Sequence, residues 1–123
     1  MKFVSSQQLP PKKLGDQGEV AARRLLENKG YRFLTGNFRT KFGEIDLIFQ
    51  DREELVFVEV KARTKSEQGL PEEAVNRYKL ATIERVAEFF MREHPQLPQL
   101  GRIDVVAIEE DTGQVRHLVN VTG

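Results

Sequence analysis

The run GEIDLIFQDREELVFVEVKAR, Gly43 to Arg63, carries Asp46, Glu59 and Lys61 inside its apolar stretches rather than in the turn between them. Side chains of a strand alternate between faces, so Glu44, Asp46, Ile48 and Gln50 share one face, with Ile45, Leu47 and Phe49 on the other. The following strand divides into Leu55, Phe57, Glu59 and Lys61 against Val56, Val58 and Val60. A two-residue loop at Arg52-Glu53 pairs Gln50 with Leu55, and therefore Asp46 with Glu59 and Glu44 with Lys61. A three-residue loop would instead set Asp46 against Val60.

Opposed carboxylates sit roughly 5 Å apart, where their repulsion at an effective dielectric of about 20 is on the order of 3 kcal/mol. Protonation of one acid, a neighbouring cation such as Lys61, or a divalent metal would relieve it. A metal makes the best use of two oxygen ligands. Mg²⁺ (or Mn²⁺) suits one or two carboxylates, a backbone carbonyl such as that of Val60, and retained waters. Lys61, on the face of Glu59, could then hold an attacking water or neutralise charge building on a phosphate. The competing reading is a Glu-Lys ladder on a solvent-facing hairpin; Phe57 on the same face argues against full exposure.

Two helices must position this hairpin. DQGEVAARRLLENKG sets Gly18, Ala21, Ala22, Leu25 and Leu26 on one stripe, with Asp16 as a cap and Gly30 as a stop. Glu19 lies at the stripe's edge, placed either to point along the sheet toward Asp46 or to remain a surface acid. YRFLTGN reads as a strand closed by a glycine-bearing turn. A second helix runs from about Pro71 or Glu72 to Arg92, with Val75, Tyr78, Ile83, Val86, Phe89 and Phe90 on its apolar stripe. Lys79 falls within that stripe, so its ammonium either snorkels to water or reaches the acids or a substrate phosphate. HPQLPQLG stops the helix, and RIDVVAIEE and VRHLVNV supply two more strands. The order is α-β-β-β-α-β-β. The link from the third strand through the long helix has the length of a crossover, which makes the third and fourth strands parallel in a mixed β-sheet flanked by helices, an α/β fold. Asp104, with Arg102 on the same face, reads as a structural ion pair, and His94 and His117 as surface histidines.

A length of 123 residues suits one domain, expected over 15–123 behind a mobile basic arm at 1–14. The N-terminal MKFVSSQQLPPKK has no apolar stretch of signal-peptide length, no run approaches membrane-spanning length, and there is no cysteine; a cytoplasmic protein with no membrane association is expected. Net charge is zero, yet residues 1 to 41 hold nine Lys/Arg against three acids, leaving an equally acidic remainder. That asymmetry is compatible with a phosphate-binding edge beside an acidic metal pocket. Arg23, Arg24, Arg39 and Lys41 are its candidate nucleic-acid contacts, with Lys79 beside them.

The segments GDQGEVAARRLLENKGY, GEIDLIF, LVFVEVKAR and RIDVV resemble the YraN family of small bacterial proteins, over nearly the whole chain from Gly15 to about Ile108. The α-β-β-β-α-β core with D…E-x-K is similar to the PD-(D/E)-x-K, restriction endonuclease-like superfamily, notably archaeal Holliday junction resolvases. Ile45 stands where the named motif has proline. The resemblance implies a DNA endonuclease in which Asp46 and Glu59 hold the metal, Lys61 is the catalytic lysine and Glu19 the additional helix acid. Selectivity for branched or structured DNA would follow, and symmetric junction cleavage would require a homodimer. Two other readings stand beside it: a nucleic-acid-binding module that does not cut, and an interaction protein with a charged surface hairpin.

Overall fold

A computed structural model describes residues 14–64 and 76–122. Its elements are α1 (Leu14–Asn28), β1 (Arg32–Thr40), β2 (Gly43–Asp51), β3 (Glu54–Arg63), α2 (Arg77–Glu93), β4 (Gly101–Glu109) and β5 (Gln114–Leu118). The five strands form one sheet in the order β1-β2-β3-β4-β5. All neighbours are antiparallel except β3 and β4, which run parallel as the crossover length requires. The mixed α/β sheet expected from the sequence is the sheet found. No helix among the described residues is long and apolar enough to cross a membrane.

Alternation along the central strands feeds two cores. Leu55 and Phe57 join Ile83, Val86 and Phe90 of α2 on one face. Val56 and Val58 join Ala22 and Leu26 of α1 on the other. The helices therefore cover opposite faces, and β3, apolar on both, lies at the centre. Gly18 lets α1 settle on the sheet, since a Cβ there would stand 3.2 Å from Ile108 Cδ1 and 3.6 Å from Val60 Cγ1. Gly30 ends α1 as predicted, with a positive φ of 95°; its amide bonds to Glu27 O and that of Tyr31 to Leu26 O, the paired closure of a glycine-capped helix.

Several boundaries differ from the sequence reading. The α1 helix reaches back to Leu14, so Asp16 lies inside it rather than capping it. The expected arm lies outside the described residues, apart from Leu14, which is helical. β1 continues through Gly36 and Asn37 to Thr40, because its register with β2 resumes after an irregularity between Phe33 and Thr35. The second helix begins at Arg77, not at Pro71 or Glu72: Asn76 is extended at φ −87° and ψ 177°, and its side chain accepts the Lys79 amide as an N-cap. Val75 lies outside the described residues. Tyr78, expected on the buried stripe, is 82% exposed, while Leu80 of the same turn packs against the core.

Candidate functional site

The β2–β3 ladder has the register that the two-residue loop demands, from Asp51↔Glu54 through Gln50↔Leu55 and Phe49↔Val56 to Leu47↔Val58. Asp46 and Glu59 stand one step beyond the last of these pairs. There the strands part, and the Val60 amide donates to Asp46 Oδ2 at 2.8 Å. Ile45 records the same change. Alternation assigns it to the side of Leu47 and Phe49, but it packs in the α2-side core opposite Phe38, because β2 has left the β3 ladder and follows β1 alone. The site thus forms where a central strand loses one neighbour.

Glu59 shares the α2 side with Leu55 and Phe57, and its side chain is only 13% exposed. Lys79, in the first turn of α2, places Nζ 3.8 Å from Glu59 Oε2, with its side chain still 44% exposed. Burial raises the Glu59 carboxyl first, and the nearby Asp46 charge raises it further, to about 7, against the opposing pull of Lys79 and Lys61. Asp46 is raised as well, chiefly by burial, with the Val60 hydrogen bond acting against it and Glu44 with it. Asp46 and Glu59 are not themselves a pair of the β2–β3 ladder, yet the Asp46 charge raises Glu59 and neither lysine offsets the combined effect of that charge and burial.

These surroundings suit a divalent cation. Two desolvated carboxylates that resist ionising together form the donor set a hard cation would relieve. Among the described residues no three His, Cys, Asp or Glu gather to hold a metal; the pair could offer a hard cation two carboxylates, with its other positions left to water.

The other candidates separate. Lys61 is exposed on β3 and acts on both acids. Glu19 is half-buried on α1, one residue past Gly18, whose neighbours include Val60 and Ala62 of the same β3 segment. Arg39 pairs with Glu44 at 3.5 Å, and Lys41 lies in the adjoining β1–β2 turn. Arg23 is instead bound to its own element: it bonds Glu27 at 3.2 Å and lies 3.6 Å over the Phe33 ring. Arg24, half-buried on α1, is its chain neighbour, so the four arginines and lysines do not form one patch.

A second polar cluster lies on the α1 side of the sheet. Asp104, fully buried, accepts from Arg102 Nε at 3.1 Å, His117 Nε2 at 2.8 Å and the Asn120 amide at 2.9 Å. Arg102 continues to Glu54 at 2.8 Å, Asp51 at 3.2 Å and the Tyr31 hydroxyl at 2.7 Å. The structural ion pair predicted for Arg102 and Asp104 is present. His117 is not a surface histidine: its side chain is 3% exposed, because Asp104 gives it a buried partner. His94 is also drawn inward, stacked on Phe90 with ring centroids 4.1 Å apart. Its Nδ1 lies 2.8 Å from Phe90 O. The signal for His117 was its place among apolar residues of a short strand, the same signal that marked Asp104.

Fold and site together define a small α/β protein with a desolvated, lysine-flanked carboxylate pair at a break in its central sheet. Residues 18–108 match the model of Uncharacterised protein family UPF0102, and the chain belongs to that family. It is 37% identical over 112 residues to a UPF0102 protein of Syntrophomonas wolfei, covering 89% of this chain and 96% of that one. A UPF0102 protein of Pelotomaculum thermopropionicum is 41% identical over 108 residues, covering 87% and 90%. Another, from Anaeromyxobacter dehalogenans, is 43% identical over 103 residues, covering 84% and 77%.

Proposed function

We propose that this protein is a metal-dependent endonuclease that hydrolyses phosphodiester bonds of branched or otherwise structured DNA. The observation that carries the reading is the Asp46–Glu59 pair, whose burial and mutual repulsion work against folding in the ionised state. Such an arrangement is retained most readily where a cation completes it. The D…E-x-K spacing, with its resemblance to the PD-(D/E)-x-K nucleases and archaeal resolvases, supports the same assignment.

Asp46 and Glu59 would hold Mg²⁺, which when bound lowers the pKa of a coordinated water and offsets charge on a phosphate oxygen. The Val60 amide fixes the Asp46 carboxylate by donating to Oδ2, leaving Oδ1 for a ligand. Lys79 favours the ionised form of Glu59 that a metal requires. Lys61, exposed and on the face of Glu59, donates to a non-bridging phosphate oxygen as negative charge builds there. Arg39 and Lys41, at the same turn as Glu44, supply cations for the flanking backbone.

The test is incubation of labelled single-stranded, duplex, flapped and four-way-junction DNA with purified protein and Mg²⁺ or Mn²⁺. Structure-selective cutting that Asp46→Ala and Lys61→Ala both abolish is expected. Absence of cutting on every substrate, or cutting that survives Asp46→Ala, overturns the reading.

A further inference from the structure

We infer that the groove between the β1–β2 turn and the start of α2, lined by Phe42, Tyr78, Ala81, Thr82 and Arg85, is a stacking subsite for an unpaired base of a nucleic-acid strand. The inference rests on the endonuclease reading for its neighbouring centre and deepens it by naming what the substrate must present there.

The groove is built by the turn. Thr40 Oγ1 accepts the Phe42 amide at 3.0 Å and lies 3.3 Å from Gly43 O, which fixes the turn with Phe42 at its tip. Gly43 has a φ of 151°, and a Cβ on it would stand 2.7 Å from Thr82 Cγ2. The turn therefore lies directly against α2, and only glycine permits that approach. On α2, Tyr78, Ala81, Thr82 and Arg85 fall at helical spacing on the stripe beside it. The groove's volume is about 170 Å³.

Two large rings are left at the surface here, Phe42 at 37% and Tyr78 at 82% exposure. Neither belongs to the core, which α2 joins through Ile83 and Val86 with Leu80 packed against it. Cations accompany them: Lys41 Nζ and the Arg85 guanidinium each lie 5.4 Å from the centroid of the Phe42 ring. Exposed aromatic faces flanked by basic groups are what a single strand requires, because bases stack on the rings without regard to sequence and phosphates meet the cations. Continuity with the carboxylate pair fixes the choice: Lys79, the chain neighbour of Tyr78, is the residue that reaches Glu59. A paired base inside a duplex cannot offer its face to this groove, so strands with unpaired bases are preferred.

The test is anisotropy of a labelled oligothymidylate and of a blunt duplex of equal length, with EDTA present to suppress cutting. The Phe42→Ala/Tyr78→Ala double variant should lose roughly 5- to 150-fold in affinity for the single strand per stacked base. Its duplex affinity should be unchanged, and Tyr78→Phe should retain single-strand binding. The chain has no tryptophan, so Phe42→Trp supplies a lone reporter whose emission should be quenched by oligothymidylate but not by duplex. Equal losses on both DNAs, no loss on either, unquenched emission, or a concentration-dependent dimer broken by the double variant would each overturn the inference. Cutting that depends on Asp46 while the groove variants bind normally removes the subsite and leaves the nuclease; groove-dependent binding without cutting does the reverse.

Discussion

Asp104 and Glu59 are near neighbours across the β3–β4 ladder, where Val58 pairs with Asp104 and Glu59 with Val105, yet they face opposite sides of the sheet and fare oppositely. Burial works against ionising Asp104, but hydrogen bonds from His117, the Asn120 amide and Arg102 outweigh it and hold the carboxyl below its usual range. Burial works against ionising Glu59 too, and there the nearest help is an ion pair at 3.8 Å, with a second acid adding to the burden. Depth in the protein therefore does not decide the state of a carboxylate. The supply of fixed donors does. One face of the sheet uses an acid to hold the fold together, and the other keeps a pair of acids short of partners, the condition in which an external ligand has most to contribute.

The largest expected effect comes from breaking the satisfied side. Asp104→Ala leaves Arg102, whose side chain is 9% exposed, and His117 without their shared acceptor. Removing one partner of such a buried network costs about 3–5 kcal/mol, measured as a loss of unfolding free energy in urea. Asp104→Asn, which keeps one acceptor oxygen, should lose less. An Asp104→Ala loss no greater than that of an exposed substitution would mean that the two faces do not differ as described.

The unsatisfied side should respond with the opposite sign. Glu59 titrates near 4.5 unfolded and at about 7 folded. Below the unfolded value it is protonated in both states and costs nothing. As pH rises from 4.5 toward 7 the unfolded chain releases its proton first and stability falls; above 7 the full difference, about 3 kcal/mol, has been lost. Glu59→Gln should remove that decline and leave a protein more stable than wild type at pH 8 but not at pH 4. Asp104, lowered in the fold, contributes stability that is present above its unfolded value of 3.8 and disappears as pH drops below it. Urea titrations of wild type and both variants across pH 3 to 9 would separate the two slopes.

That contrast was only half legible in the sequence. Asp46, Glu59 and Lys61 could be found because a period-two pattern makes a charge on an apolar strand conspicuous and a two-residue loop fixes the register. The helix-to-sheet layering was legible for the same reason, since the stripe of Ala22 and Leu26 and the alternation of β3 each specify one buried face. The parting of β2 from β3 was not, because it depends on a side-chain-to-backbone bond between Asp46 and Val60 that strand periodicity does not encode. His117 and Asp104 are likewise brought together only by the β4–β5 pairing, in which His117 lies opposite Val106. The start of α2 was misplaced because apolar periodicity continues through Val75, whereas the cap is set by Asn76.

Magnesium offers a smaller and more selective perturbation of the same comparison. A cation that binds only the folded protein adds about 2.7 kcal/mol at a hundredfold excess over its dissociation constant. The gain should appear above pH 7, where Glu59 is ionised, fade toward pH 5, and vanish in Asp46→Ala and Glu59→Gln. Asp104→Asn should keep it. A thermal shift that is equal in all four proteins would place the ion elsewhere.

The smallest effect belongs to Lys79, whose position bears most directly on how the unsatisfied side is tuned. Its side chain is 44% exposed, so solvent screens its attraction to Glu59 and the pair contributes less than about 1 kcal/mol to stability. Lys79→Met keeps the hydrocarbon stem on α2 and removes only the charge. With that charge gone, burial and Asp46 act on Glu59 with Lys61 as the remaining lysine counterweight, so the carboxyl should titrate higher than in wild type, read directly from its carbon-13 chemical shift. The titration of Asp104, on the other face, should not move. A Glu59 midpoint that stays where it was would mean that the lysine snorkels past the pair, and that the two acids are left to each other and to whatever ion they bind.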